Sequence, residues 1–359
     1  MEGTPSSRLT RSTQIVCQSC GGGDLRRRNF IGGTIGTTVA RPWAAAAQLK
    51  PVPGKIGYLH PVTLANISLA ILKGAWRERG YVEGESVFLR SAEGDYSRLP
   101  HLVAELIALQ VGALIVVSAP AVQAASRATK TVPIVAIDLE TDPVHVGYAA
   151  SLSRPGGNVT GLFMELPSLA GKWIELLREA APRIRRVALI WDKTTGRDQL
   201  DTAIEAAKAV GLEATVVESR SPGDYESVFA RLQQEQPTGL VLLTAPGMDQ
   251  TVSSITSPAI AHKLPTIAPG KSSAMNGALM SYGPVVETYF PRAVILADRI
   301  LRGEKPGDLP IERPAKFELV LNLRTAKEIG LTIPLAQART RFAGERWGMV
   351  GALECGVTA

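Results

Sequence analysis

Gly112-Ala-Leu-Ile-Val-Val-Ser-Ala-Pro120 reads as a strand running straight into a helix. Its apolar run is short, rich in β-branched residues, and bounded by Gly and Pro. Such a run suits a strand covered on both faces. Pro120 suits a first helical turn, where its missing N–H costs no hydrogen bond. The same order returns as Gly239-Leu-Val-Leu-Leu-Thr-Ala-Pro246, at an offset of about 130 residues.

Working outward, other pairs repeat in the same order. Ile56-Gly-Tyr-Leu59 matches Val187-Ala-Leu-Ile190, and Gly94-Asp95-Tyr96 matches Gly223-Asp224-Tyr225. Val132-Pro133-Ile134 matches Leu264-Pro265-Thr266. One such match would be generic βα likeness. Several in one order argue for two similar α/β lobes.

The pattern predicts strands over 56–59, 87–90, 113–117, 134–137, 159–163, 187–191, 214–217, 240–243 and 278–282. It predicts helices over 65–80, 96–110, 121–130, 169–181, 198–211, 225–236, 248–262 and 285–303. Alternation of this kind implies parallel sheets with right-handed crossovers. Ligands of open α/β sheets bind beyond the carboxyl ends of the strands. Ser118, Ala119, Pro120 and Ala121 fall at one such end, and Thr244 and Ala245 at the other. If each opens a helix, free N–H groups there can hold a carboxylate. A plain cap with no ligand fits those residues too. His60, Asp192 and Tyr282 are further cleft candidates, and Tyr58 or Met248 could supply an apolar wall. Asp138, Glu140 and Asp142 crowd one strand end. They suit acid–base groups, a partner for a ligand ammonium (Asp142 above all), or a solvated loop.

Charged residues make up 20% and hydrophobic residues 45%, the mix of a globular chain with a sizeable core. The net charge is +6, but residues 1–47 hold six Arg against Glu2 and Asp24. That leaves 33 basic and 31 acidic residues in the body, too balanced for a nucleic-acid footprint. Cys17, Cys20 and Cys355 all lie outside residues 21–354, so no disulfide framework or thiolate metal site holds the core. His60, His101, His145 and His262 show no metal-ligand spacing. Phosphate-loop, dinucleotide and nucleophile-elbow motifs are absent. No cofactor, metal site or catalytic residue is expected.

Arg27-Arg28-Asn29-Phe30-Ile31, a mild apolar run to Ala40 and small residues Ala44 to Ala47 have the order of an export signal. The twin arginine points to the folded-protein route, with cleavage near Gln48. Residues 25–47 are read as that leader. Residues 1–24 lack any pattern and are read as disordered or as a mis-annotated extension, with the true start near Leu25.

Several segments resemble a known family. They are Arg26-Arg-Arg-Asn-Phe-Ile31, Gly80-Tyr-Val-Glu-Gly84, Ala92-Glu-Gly-Asp95, Arg98-Leu-Pro100 and Ser151-Leu-Ser-Arg-Pro-Gly-Gly-Asn-Val-Thr-Gly161. Met280-Ser-Tyr-Gly-Pro284, Leu301-Arg-Gly303, Lys316-Phe-Glu-Leu-Val320, Asn322-Leu and Thr325-Ala-Lys327 continue the likeness to Pro334. The chain resembles the periplasmic substrate-binding proteins of ABC transporters, in the TrpX-like family. The resemblance implies a type I periplasmic-binding fold whose hinge is crossed three times, near 160–164, 280–283 and 314–318. Lobe 1 would span 55–159 plus 283–313, and lobe 2 would span 160–282 plus 314–334. Residues 335–359 depart from the family and are expected to be disordered. The function implied is periplasmic capture of a small polar solute, such as an amino acid or related carboxylate, by cleft closure. Permease subunits of the transporter would be partners, and a monomer is expected. A racemase- or lyase-like cleft enzyme and the sensing domain of a regulator are the alternatives.

Overall fold

The computed structural model describes residues 52–350 except 64–65, 139, 165, 220–224, 286–287 and 334–345. The leader and the 1–24 extension lie outside the described residues.

The first sheet is wholly parallel, in the order β2-β1-β3-β4-β5. Its strands are β1 (Ile56–His60), β2 (Val87–Ser91), β3 (Ala113–Val117), β4 (Ile134–Asp138) and β5 (Val159–Phe163). Side chains alternate across it as strand geometry demands. Ile56, Tyr58, Ile115, Val117, Val135 and Ile137 join one apolar cluster. Leu59, Leu114, Val116, Ile134 and Ala136 join another. Helices α1 (Asn66–Glu78) and α10 (Tyr289–Leu301) supply the first cluster; α2 (Leu99–Ala108) and α3 (Ala119–Ala128) supply the second.

The second sheet runs β12-β11-β10-β9-β8-β6-β7. It comprises β6 (Arg186–Asp192), β7 (Glu213–Ser219), β8 (Gly239–Leu242), β9 (Thr266–Ala268), β10 (Met280–Pro284), β11 (Phe317–Asn322) and β12 (Arg346–Val350). Only the β10–β11 pair is antiparallel. Its helices are α4 (Leu166–Ala180), α5 (Asp198–Ala209), α6 (Tyr225–Glu235), α7 (Met248–Thr251), α8 (Ser253–Ala261), α9 (Lys271–Met275) and α11 (Leu323–Glu328). Trp173 on α4 is fully buried and donates its indole N–H to the Tyr282 carbonyl at 2.7 Å. The cluster around it includes Leu162 and Met164 as well as Leu189 and Val241, so one core runs through the hinge.

Sheet membership moves the expected boundaries. β5 belongs entirely to the first sheet, so that lobe extends to Phe163 rather than 159. β10 belongs entirely to the second, so the chain recrosses after Pro284. The third crossing spans 313–316, where the Val285 N–H donates to the Lys316 carbonyl at 3.1 Å. The tail also departs from expectation. The backbone of Arg346–Val350 adds β12 to the edge of β11, whose ladder groups would otherwise stand unpaired.

Candidate functional site

The two sheets bring their strand ends together, and the site is built from those ends. Ser118 follows β3 with φ 75° and ψ 150°, backbone that residues other than glycine rarely hold. Its N–H donates to the Ile137 carbonyl at 2.8 Å, and its Oγ donates to Glu140 Oε1 at 2.7 Å. The N–H of Ala119 donates to Glu140 Oε2 at 2.9 Å. The start of α3, where orphan N–H groups and the helix dipole favour an anion, therefore holds the chain's own carboxylate.

Beside it, Asp138 ends β4 with no exposure at all. Its Oδ1 accepts the N–H groups of Glu140 and Thr141 at 2.9 and 3.0 Å, and its Oδ2 accepts the Thr141 hydroxyl at 2.6 Å. Burial, and then the charge of Asp138, push Glu140 up to about 8. Burial likewise pushes Asp138 up.

His60 ends β1 with its ring stacked over Tyr58 at 6.3 Å and its Nδ1 against the Val62 carbonyl. Burial pushes its pKa down to about 4, so the ring is neutral at physiological pH.

On the second lobe, Asp192 ends β6 and turns the chain by accepting the N–H and hydroxyl of Thr194 at 2.8 and 2.7 Å. Burial pushes this carboxyl up. The turn leads into α5, whose first turn carries Gln199, 1% exposed. Gln199 Oε1 accepts the Thr244 N–H at 3.0 Å. That bond fixes which end of the amide is oxygen. Gln199 Nε2 and Thr244 Oγ1 are then buried with no partner among the described residues.

The lobes touch on both sides of this pair. His145 Nδ1 lies 3.4 Å from Asp198 Oδ2, one residue before Gln199. Gln250 Nε2 donates to the Thr63 carbonyl, and Gly247 packs on Val62 so tightly that a Cβ would come within 3.1 Å. Along the flank, α3 faces the turn 193–195 across a cavity of about 350 Å³, lined by Ala119, Pro120, Tyr148 and Thr194 among others.

Five of the expected site residues sit at these strand ends: His60, Ser118, Ala119, Pro120 and Asp192. Others do not behave as expected. α3 begins at Ala119, two residues early, which turns Ala121 into the core. Thr244 and Ala245 open no helix. β8 stops at Leu242, and α7 starts only after Gly247, whose left-handed φ of 74° breaks the chain direction. Met248 packs into the core with Ile190 and Val252. Tyr58 is fully buried edge-on to Trp76, so it is no cleft wall. Tyr282 stacks on Phe317 at 6.0 Å within the hinge strands. Asp142 caps its own turn, accepting the N–H groups of Val144 and His145 at 2.8 and 3.1 Å. Gln199 was not foreseen, although its place one turn beyond a strand end was a usable signal. Glu140 stood among the candidate carboxylates without being assigned this role.

A family profile described as "ABC transporter substrate binding protein" matches residues 62–339. The chain belongs to this family. As a member it is the solute-binding component of an ABC-type transporter, working with permease subunits outside the cytoplasm. None of its described helices is long and apolar enough to cross a membrane. A tyrosine-binding protein of Clostridioides difficile is 26% identical over 264 residues, covering 72% of this chain and 74% of that protein. An ABC domain from Streptococcus pneumonia solved with L-Trp aligns with TM-score 0.72 and 22% identity, over 82% of this chain and all of that one. The ligand-free, open structure of a Clostridium difficile substrate binding protein with adhesive properties aligns with TM-score 0.57 at 22% identity, over 83% and 99%. These likenesses place the fold among type I periplasmic-binding proteins.

Proposed function

We propose that this family member captures an amino acid between its two lobes and releases it to the transporter in the periplasm. The observation that carries the reading is the pair of buried, unpartnered groups on Gln199 and Thr244, with interlobe contacts made by the nearby Asp198 and Gln250. Buried polar groups are ordinarily paired, so a polar ligand is the natural partner. An aromatic amino acid is favoured because relatives are a tyrosine-binding protein and an L-Trp complex. The reading includes export by the 25–47 leader with cleavage near Gln48, a monomer, and recognition without catalysis.

Titration calorimetry of the purified full chain against the twenty amino acids, with small dicarboxylates as controls, tests it. Saturable binding of L-tyrosine or L-tryptophan is expected. No heat from any amino acid would refute the ligand class.

A further inference from the structure

A ligand amino acid could enter this cleft in either of two orientations, and the hydrogen bonds select one. The first lobe would ordinarily offer the start of α3 to the ligand carboxylate. Here the Ala119 N–H and the Ser118 hydroxyl are both spent on Glu140. Asp138 lies beside it, its oxygens accepting three hydrogen bonds from Glu140 and Thr141 and keeping acceptor capacity to spare. A second carboxylate at that place would face two carboxyl groups and no free donor. A cation would find acceptors instead.

The second lobe offers the reverse. Gln199 Oε1 is committed to the Thr244 N–H, so its free end is an NH₂ with two donors. The Thr244 hydroxyl beside it is a third. Tyr58, Trp76 and Ser281 also carry buried polar atoms without partners among the described residues, but Tyr58 and Ser281 lie inside strands and Trp76 lies in the last turns of α1, none of them past the carboxyl end of a strand. Gln199 and Thr244 sit beyond strand ends, flanked by the contacts of Asp198 with His145 and of Gly247 with Val62.

We propose that the cleft holds its amino acid with the ammonium toward Asp138 and Glu140 of the first lobe and the carboxylate toward the Gln199 amide and Thr244 hydroxyl of the second. The polarity rests on the amino-acid reading above. It assigns the two lobes opposite duties: one selects the amine, the other the acid.

The test is calorimetry of the full chain with L-tyrosine, with tyramine, which lacks the carboxylate, and with 3-(4-hydroxyphenyl)propionate, which lacks the ammonium. Gln199→Leu should weaken L-tyrosine about tenfold or more and leave tyramine within twofold. Glu140→Gln should weaken L-tyrosine by a similar factor and leave the propionate within twofold. Variants that bind L-tyrosine like the parent, or that show the opposite pattern with the analogues, overturn the polarity while the amino-acid reading stands. A parent chain that binds no amino acid overturns both. Should either variant misfold, a crystal structure of the parent with L-tyrosine decides. A carboxylate within hydrogen-bond reach of Gln199 Nε2 supports the proposal, and one on Ser118 and Ala119 sinks it.

Discussion

Glu140 shows how one side chain can reassign a site. Strand-end logic marked Ser118 and Ala119 as a cradle for a ligand anion or as a plain cap, and the chain's own Glu140 carboxyl sits there. What the sequence pattern could not show is that a residue 22 positions on returns to fill it. That return depends on how β4 ends, which is a tertiary matter. The buried carboxyl has a consequence for stability. Glu140 has a folded pKa of about 8, above the roughly 4.3 of an unfolded glutamate. Between those values the folded chain binds more protons than the unfolded one, so stability falls as pH rises. The slope from this group is at most about 1.4 kcal/mol per pH unit. Thermal melts from pH 5 to 8 should therefore show a declining midpoint, and Glu140→Gln should flatten the decline. A variant melting curve as steep as the parent's would remove Glu140 as the cause.

At the scale of elements, the Pro155-Gly156-Gly157-Asn158-Val159-Thr160-Gly161 stretch acquires a mechanical reason. β5 is squeezed between β4 and the returning chain. Gly161 pairs with Ala136 on one side, and its carbonyl accepts the Glu312 N–H at 2.8 Å on the other. With φ 137°, a Cβ at Gly161 would stand 2.1 Å from the Ala136 carbonyl oxygen. Gly161→Ala should cost about 3 kcal/mol or more. Gly74, in α1 with nothing near its missing Cβ, is the counterpart. Gly74→Ala should be neutral or stabilise by about 0.5–1 kcal/mol. Chemical denaturation of both variants checks the contrast, and equal effects would defeat it. The same scale explains what was legible. Long amphipathic helices and five-residue buried strands carry periodic signals, and all of those predicted have counterparts in the fold. β9, with three residues, is too short to show a period. β11 was seen as a motif and not as a strand, because it serves as a hinge crossing. β12 continues a sheet that local patterning cannot anticipate.

For the whole molecule, the question is what closure rests on. The apolar core is continuous through the hinge, so it stabilises the open and closed forms alike and cannot choose between them. The choice falls to contacts that exist only when the lobes meet. Among the described residues, polar contacts of this kind include Gln250 to the Thr63 carbonyl and His145 to Asp198. The first is a hydrogen bond at an exposed position and is worth about 0.5–1 kcal/mol, or roughly twofold to fivefold in apparent affinity. The second is an exposed pair, with His145 73% exposed, and should count for less than twofold. Gln250→Ala should thus weaken L-tyrosine binding by twofold to fivefold, and His145→Ala should barely change it. Neither should alter the unfolding midpoint without ligand by more than a few degrees. Small-angle scattering supplies the independent reading, since a chain that closes less readily stays more extended at a fixed L-tyrosine concentration. If Gln250→Ala binds and compacts like the parent, closure is governed by the ligand's own contacts with Asp138, Glu140, Gln199 and Thr244, and the rim only follows.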